Sequence, residues 1–357
     1  MSSGDGKTKN HNTLSHPALE EFAMLTNKII KTSRTLKVFA LAGIASAVSM
    51  SVQAEQWRGW NIHPPSYPNS MALESFAEEV AENTDGRIEP KVYHNGVLGA
   101  QPDAIEQTRN GALNFANFNM GPMGPIVPAT NILSLPFIFQ SPDDMYRVMD
   151  GDIGERFAEA LEEKNLVALS WFGSGARSLY NTDHPVTTPG DVEGLKVRVM
   201  NNDLYVQMID ELGGNATPMA YSEVYQSLKT GVIDGAENNY PSFESSGHYE
   251  VAKYYSLTEH LILPECLCVA KSSWDELSEQ DQGIVREAAQ NAAVEQRRLW
   301  EERAETSRQR VLDDGVEINE VTDKSAFQAE MQPIYDDFVA SHPDLEALVE
   351  DVQAAQE

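Results

Sequence analysis

The sequence predicts an α/β fold of roughly two domains, and three observations carry that expectation. The chain has 357 residues, about twice the ~150 that one domain usually takes. Short apolar runs suited to strands alternate along it with amphipathic helical stretches. Near the C-terminus a capping-box-like start, Ser278 followed by Asp281, opens a nearly unbroken helical pattern that runs to about Asp314, before Gly315. At 1.5 Å per residue that rod is roughly 50 Å long, enough to cross two lobes. A coiled coil is the weaker alternative, because no heptad of large apolar residues is sustained from Ala288 to Gln309.

The N-terminal residues read as an address rather than as part of the fold. Lys28, Lys31, Arg34 and Lys37 form a positive region, Val38 to Met50 is a short apolar run, and Val52-Gln-Ala54 offers small residues at the −3 and −1 positions of a cleavage site. Residues 1–54 are therefore expected to be an extension plus a cleaved signal peptide, with Met24 an alternative start. The mature protein then begins near Glu55 and is exported to the periplasm. No other segment approaches the ~20 apolar residues of a membrane helix.

After that leader, Gln56 to Ile62 reads as a strand and Ser70 to Glu82 as an amphipathic helix following the turn His63-Pro-Pro-Ser-Tyr-Pro-Asn69. Glu89 to His94 is the next strand, and Gln101 to Asn110 and Asp143 to Lys164 are further helices. Leu166 to Phe172 is a continuous apolar run, as a buried strand requires. Leu195 to Met200 alternates instead, with Lys196 and Arg198 on one side and Val197 and Val199 on the other.

Charge narrows the function. Against 26 Lys plus Arg stand 55 Asp plus Glu, a net charge of −29, which argues against nucleic acid because phosphate binding needs clustered cations. Removing the six basic and three acidic residues of the leader leaves 20 against 52, a balance of −32. Such a surface suits high ionic strength, where screening removes most of the self-repulsion. Any anion site must then be local and built from specific cations. No nucleophile elbow, P-loop, HExxH or dinucleotide-binding glycine motif is present, and the eight histidines are scattered without metal-ligand spacing.

Arginine is the informative residue type. Arg198 sits mid-strand between apolar neighbours, where a guanidinium needs an anionic partner, and its planar fork grips a carboxylate bidentately. Arg177, in Gly173-Ser-Gly-Ala-Arg177, lies beyond the carboxyl end of the strand Leu166 to Phe172, the edge that usually faces ligand in a parallel α/β sheet. The alternative for either is a buried Arg–Glu ion pair that merely joins elements. A third feature is Asp234-Gly-Ala-Glu-Asn-Asn-Tyr-Pro-Ser-Phe243, whose paired amides suit ligand hydroxyls but equally suit turn chemistry. Cys266 and Cys268, at i and i+2 of an apolar strand, are expected to be buried thiols, since bridging so short a loop needs an irregular backbone.

The runs Gly194-Leu-Lys-Val-Arg-Val-Met200, Leu212-Gly-Gly-Asn-Ala-Thr-Pro-Met-Ala-Tyr-Ser-Glu-Val-Tyr225 and Leu228-Lys-Thr-Gly-Val-Ile-Asp-Gly-Ala-Glu-Asn238 resemble the extracytoplasmic solute receptors of TRAP transporters, the DctP-type family. Tyr93-His-Asn-Gly-Val-Leu-Gly99 and Leu135-Pro-Phe-Ile-Phe139 extend the resemblance, which spans Trp57 to about Val352. It implies a two-lobed periplasmic-binding-protein-like α/β fold with a cleft between lobes, crossing strands and a long shared C-terminal helix. On that pattern residues 55–174 with 263–302 form lobe I, and 175–262 with 303–357 form lobe II. The resemblance also implies a carboxylate-bearing ligand held by Arg198, with Arg177 as a second arginine and Asn238 as the cleft asparagine. It implies delivery to small and large membrane subunits driven by an ion gradient, with no enzyme activity and no cofactor. The receptor is expected to act as a monomer.

His63 with Tyr67-Pro, Asn117 and Asn119, Ser174-Gly-Ala-Arg-Ser178, Asn238-Asn239 and Thr258-Glu-His260 further resemble the branch that binds hexuronates such as D-glucuronate or D-galacturonate. His63, Asn117, Asn119 and Tyr67 are expected at the sugar hydroxyls. Gln101 stands where relatives often carry an acidic residue, and Phe243 is expected to form an apolar wall. Trp57, Trp60 and Trp171 are assigned to core packing, and His260 is left between a site and a structural role. A C4-dicarboxylate or other small organic acid is the alternative ligand, and a secreted enzyme acting on acidic sugars the more distant alternative.

Overall fold

The computed structural model describes residues 54–356; the expected signal peptide, apart from Ala54, lies outside them. Among the described residues nine strands form one mixed sheet: β1 (Glu55–Trp60), β2 (Ile88–Tyr93), β3 (Phe115–Asn119), β4 (Leu166–Asn181), β5 (Lys196–Val199), β6 (Asn215–Pro218), β7 (Gly235–Asn238), β8 (Tyr254–Ala270) and β9 (Glu317–Glu320). The order across the sheet is β2-β1-β3-β8-β4-β7-β5-β6, with β9 alongside β8. β1 pairs in parallel with β2 and β3, and β5 pairs in parallel with β6 and β7. The two long strands β4 and β8 run antiparallel through the middle and carry one parallel group on each side.

β4 corrects the sequence reading, which ended this strand at Phe172 and put Arg177 in the turn beyond it. The strand continues to Asn181, so Arg177 stands inside an antiparallel ladder with β7 and β8. The glycines mark a bulge rather than a turn. Register against β8 shifts between Gly173 and Ala176, Gly175 has φ +60°, and a Cβ on Gly173 would lie 1.9 Å from the Tyr146 hydroxyl. Gln296 satisfies the backbone there: Gly173 N–H donates to its Oε1 at 3.1 Å, and its Nε2 donates to Gly173 O at 2.7 Å.

Gln296 belongs to the long C-terminal helix, Glu279–Asp313, whose N-cap Ser278 accepts a hydrogen bond from Asp281 N. One end of this helix buries Val285, Ala288 and Ala292 in a cluster with Trp57 and Phe76, and the other end buries Val311 with Tyr180 and Phe243. Its small side chains on the first half let the helix Pro68–Asn83 approach closely.

Two further expectations are corrected. The single helix over Asp143 to Lys164 is two, Pro142–Met149 and Asp152–Glu162, broken at the extended Gly151; Gly154 packs so tightly that a Cβ would sit 1.9 Å from Met149 O. Cys266 and Cys268 are not thiols but are joined in a disulfide, with Cα atoms 5.5 Å apart. Residues i and i+2 of a regular strand lie ~6.6 Å apart, and β4 shifts register opposite this pair, between Ala168 and Ser170. The irregular backbone that bridging demands is therefore present.

Candidate functional site

Where β4 and β8 cross between the two parallel groups lies a cavity of about 110 Å³, room for on the order of eight waters and so for a ligand of about a dozen heavy atoms. Arg198, Arg177, Asn238, His63, Asn119 and Gln101 all line it.

Arg198 reaches the cavity from β5, where Thr217 of β6 and Ala236 of β7 flank it. It is 4% exposed, and its Nε and Nη2 both donate to Met219 O, at 3.1 and 2.9 Å. Burial pulls its pKa down and Glu237 nearby pulls it up; the net direction is down, yet a guanidinium stays charged. No carboxylate lies within ion-pair distance among the described residues. Of five N–H donors, three remain, two on Nη1 and one on Nη2, at the end of the fork best placed for a bidentate carboxylate.

Arg177 is built differently. Its Nε donates to Glu237 Oε2 at 2.6 Å, and Nη2 donates to Glu237 Oε1 at 2.8 Å and to Glu237 O at 3.0 Å. Nη1 donates to Asn238 Oδ1 at 2.8 Å, leaving one free donor. Burial would lower its pKa, but Glu237 outweighs that and holds it raised. The pair joining β4 to β7, weighed above as the alternative, describes most of this side chain. Asn238 Oδ1 also accepts from Asn239 N at 2.9 Å, so its amide NH₂ is the group left to face the cavity. Asn239, by contrast, does turn chemistry: its Oδ1 caps the helix Tyr240–Ser245 by accepting from Ser242 N at 2.8 Å.

On the opposite wall His63 is buried, stacked on Tyr67 with centroids 3.7 Å apart, and its Nδ1 has no partner among the described residues. Gln101 Nε2 donates to Asn119 O at 2.7 Å, and Asn119 Oδ1 accepts from Gly121 N at 3.0 Å. Three expected residues do not line the cavity. Tyr67 lies behind His63 with its hydroxyl 2.8 Å from Ser242 Oγ. Asn117 donates to Glu265. Phe243 is fully buried against Tyr180 and Tyr255, a core residue rather than an apolar wall. The apolar lining comes instead from Ile62, Pro122, Met200 and Met219. Trp57, Trp60 and Trp171 are core, and His260 is buried outside the cavity, its Nδ1 2.8 Å from Thr258 Oγ1.

Two of the lining residues not anticipated from sequence bear on the site's chemistry. Tyr221 lies edge-on to His63 and donates to Ser242 O at 3.2 Å. Glu265 is a carboxylate 3% exposed in β8. The signal for it existed: it is the one charge within Leu261-Ile-Leu-Pro-Glu-Cys-Leu-Cys-Val-Ala270, which is the logic that singled out Arg198. Among the described residues no group of acidic, histidine or cysteine side chains could hold a metal ion. No described helix is long and apolar enough to cross a membrane.

The profile of the bacterial extracellular solute-binding proteins, family 7 (DctP), matches residues 61–342. A solute-binding protein of Chromohalobacter salexigens is 77% identical over 335 residues, covering 93% of this chain and all of the relative. A crystal structure of a TRAP periplasmic solute-binding protein from the same species, with bound D-glucuronate, is 82% identical with a TM-score of 0.83, covering 84% of this chain and 99% of that one. A second, from a Sulfitobacter species with bound β-D-galacturonate, is 56% identical at a TM-score of 0.83, with 84% and 100% covered. The matched span, the two-lobed α/β architecture and the arginine-bearing cleft agree: the chain belongs to the DctP family of TRAP solute-binding proteins.

Proposed function

We propose that this protein is exported by a cleaved signal peptide and captures a hexuronate, D-glucuronate or D-galacturonate, for transfer to TRAP membrane subunits. The observation that carries this reading is Arg198: a buried guanidinium in the cavity wall with three free donors and no carboxylate partner among the described residues. A sugar acid supplies the missing anion, while its ring hydroxyls meet the Asn238 amide, His63 Nδ1, Gln101 and Asn119. Similar proteins crystallised with D-glucuronate and β-D-galacturonate support the choice of ligand.

The hinge falls near residue 174, at the bulge of β4, and near residue 263 of the facing β8, with 55–174 and 263–302 in one lobe and the rest in the other. The register shift between Gly173 and Ala176 supports this division. Ligand bridging both walls favours the closed form, which the membrane subunits recognise. The protein works as a monomer without cofactor and returns its ligand chemically unchanged.

A thermal-shift panel of uronates, C4-dicarboxylates and keto acids tests the reading, since a ligand that binds only the folded state raises the melting temperature. The hexuronates are expected to give the largest shift, and mass analysis of the recovered ligand an unaltered sugar acid. A shift with succinate or malate and none with either uronate overturns it.

A further inference from the structure

The cavity is polar in a second sense, because its two walls carry buried charges of opposite sign. Glu265 stands on β8 opposite Asn119 of β3 and Phe172 of β4, in the half of the crossing strands that carries β1–β3. Arg198 stands on β5, reached through β7 from the other half. The carboxylate of Glu265 is held by neutral amides rather than by a cation: Asn69 Nδ2 donates to Oε2 at 2.7 Å and Asn117 Nδ2 donates to the same oxygen. Oε1 receives only Asn119 Nδ2 at a long 3.4 Å, with His63 Nε2 at 3.8 Å. A carboxylate accepts about four hydrogen bonds, so Oε1 keeps unused capacity while being shut off from bulk water.

We propose that Glu265 fixes the direction and the charge of the ligand: Oε1 accepts hydroxyl hydrogens from the end of the sugar acid remote from its carboxylate, and the same charge excludes diacids of similar length. This rests on the reading of Arg198 as the carboxylate site. A second ligand carboxylate would lie beside Glu265 in a poorly solvated space. At ~6 Å and an effective dielectric near 20, like charges cost on the order of a hundredfold in affinity. The neighbouring amides are already committed, and among the described residues His63 is the one basic side chain within ion-pair distance of Glu265.

Calorimetry at pH 8 with D-glucuronate and with glucarate, the six-carbon diacid, tests this. Wild type is expected to prefer glucuronate by about a hundredfold. Glu265→Gln, which keeps an acceptor and the shape, is expected to bind glucuronate more weakly and glucarate more tightly, narrowing the ratio at least tenfold. Glu265→Asp, which keeps the charge, is expected to retain the preference. Because both ligands meet both proteins, their difference in shape cancels from the change in ratio. Uronate binding with an unchanged ratio in Glu265→Gln overturns the role of Glu265 and leaves carboxylate capture standing. Absence of uronate binding in wild type overturns both. Should the Gln variant not fold, equal wild-type affinity for the two acids overturns the proposal and a strong uronate preference supports it.

Discussion

Replacing Arg198 by methionine separates ligand capture from maintenance of the fold. Methionine preserves the apolar stem and much of the volume, so the change removes chiefly the guanidinium. Without ligand that group is poorly placed: burial lowers its pKa and no carboxylate neutralises it. Removing it forfeits two hydrogen bonds to Met219 O, about 1 kcal/mol each. It also relieves the desolvation of a buried cation, several kcal/mol even after relaxation. The two effects oppose, and unliganded stability is expected to change by less than about 2 kcal/mol in either direction. Binding has no such compensation. A bidentate carboxylate contact comprises two charge-assisted hydrogen bonds of ~1.5–3 kcal/mol each, and the ligand's own carboxylate would be left buried without a partner. A loss of at least ~3 kcal/mol, more than a hundredfold in Kd, follows. Calorimetry with D-glucuronate and urea unfolding of the unliganded protein measure the two quantities. A dissociation constant within threefold of wild type would refute the assignment. So would a fall of more than about 4 kcal/mol in unliganded stability, which would make Arg198 a structural residue.

Two more predictions use the same reasoning with opposite sign. Arg177→Met strands Glu237, which is fully buried, and is expected to cost about 3–5 kcal/mol in urea unfolding, with much of it recovered in Arg177→Met/Glu237→Gln; a single variant as stable as wild type would contradict this. His248 and His260 are held neutral in the fold, pushed down to about 3 and about 4, chiefly by burial, with Arg198 adding to the effect at His248. Since both charge near pH 6.5 when unfolded, the unfolded state binds more protons below that pH. Stability therefore falls as pH drops from 6.5 toward 4, by up to about 2 kcal/mol for each histidine at pH 5. Melting temperatures from pH 7.5 to 5 should show this decline, with a shallower slope in His248→Gln; a flat profile would contradict it.

What the sequence revealed depended on whether the informative pattern was local. Arg198 was legible because a cation between valines in an alternating strand has no solvated direction to take. The long helix was legible from its cap, Ser278 with Asp281. The extent of β4 was not, because Gly173-Ser-Gly175 is equally good chemistry for a turn and for a bulge, and the choice is made by Gln296, more than a hundred residues away. Phe243 was drawn to the cleft by its proximity to Asn238 in sequence, but the helix capped by Asn239 turns it into the aromatic cluster with Tyr180 and Tyr255. The disulfide lies opposite a register shift in the partner strand, which Cys266 and Cys268 do not themselves encode. Glu265 was readable by the argument applied to Arg198, and counting lone charges of both signs within apolar strands would have found it.

If the cleft closes on a sugar acid as proposed, the two walls divide the work of closure. A ligand shifts a conformational equilibrium only by the difference between its affinities for the two forms, and a swing from 1:99 to 99:1 takes ~5.5 kcal/mol. Arg198 and Asn238 stand on β5 and β7 of one lobe, so an open cleft offers them to the ligand as readily as a closed one. Their hydrogen bonds set affinity for both forms and contribute little to the difference. On the proposed reading the bias must come from the facing wall, where Glu265 Oε1 and His63 Nδ1 are the groups with unused capacity. At ~1.5–3 kcal/mol for a bond to a charged acceptor and ~1 kcal/mol for a neutral one, those two with Gln101 and Asn119 can together supply that amount, and Arg198 alone cannot. On that reading Arg198 decides whether a sugar acid binds, and Glu265 with its neighbours decides whether the bound protein closes.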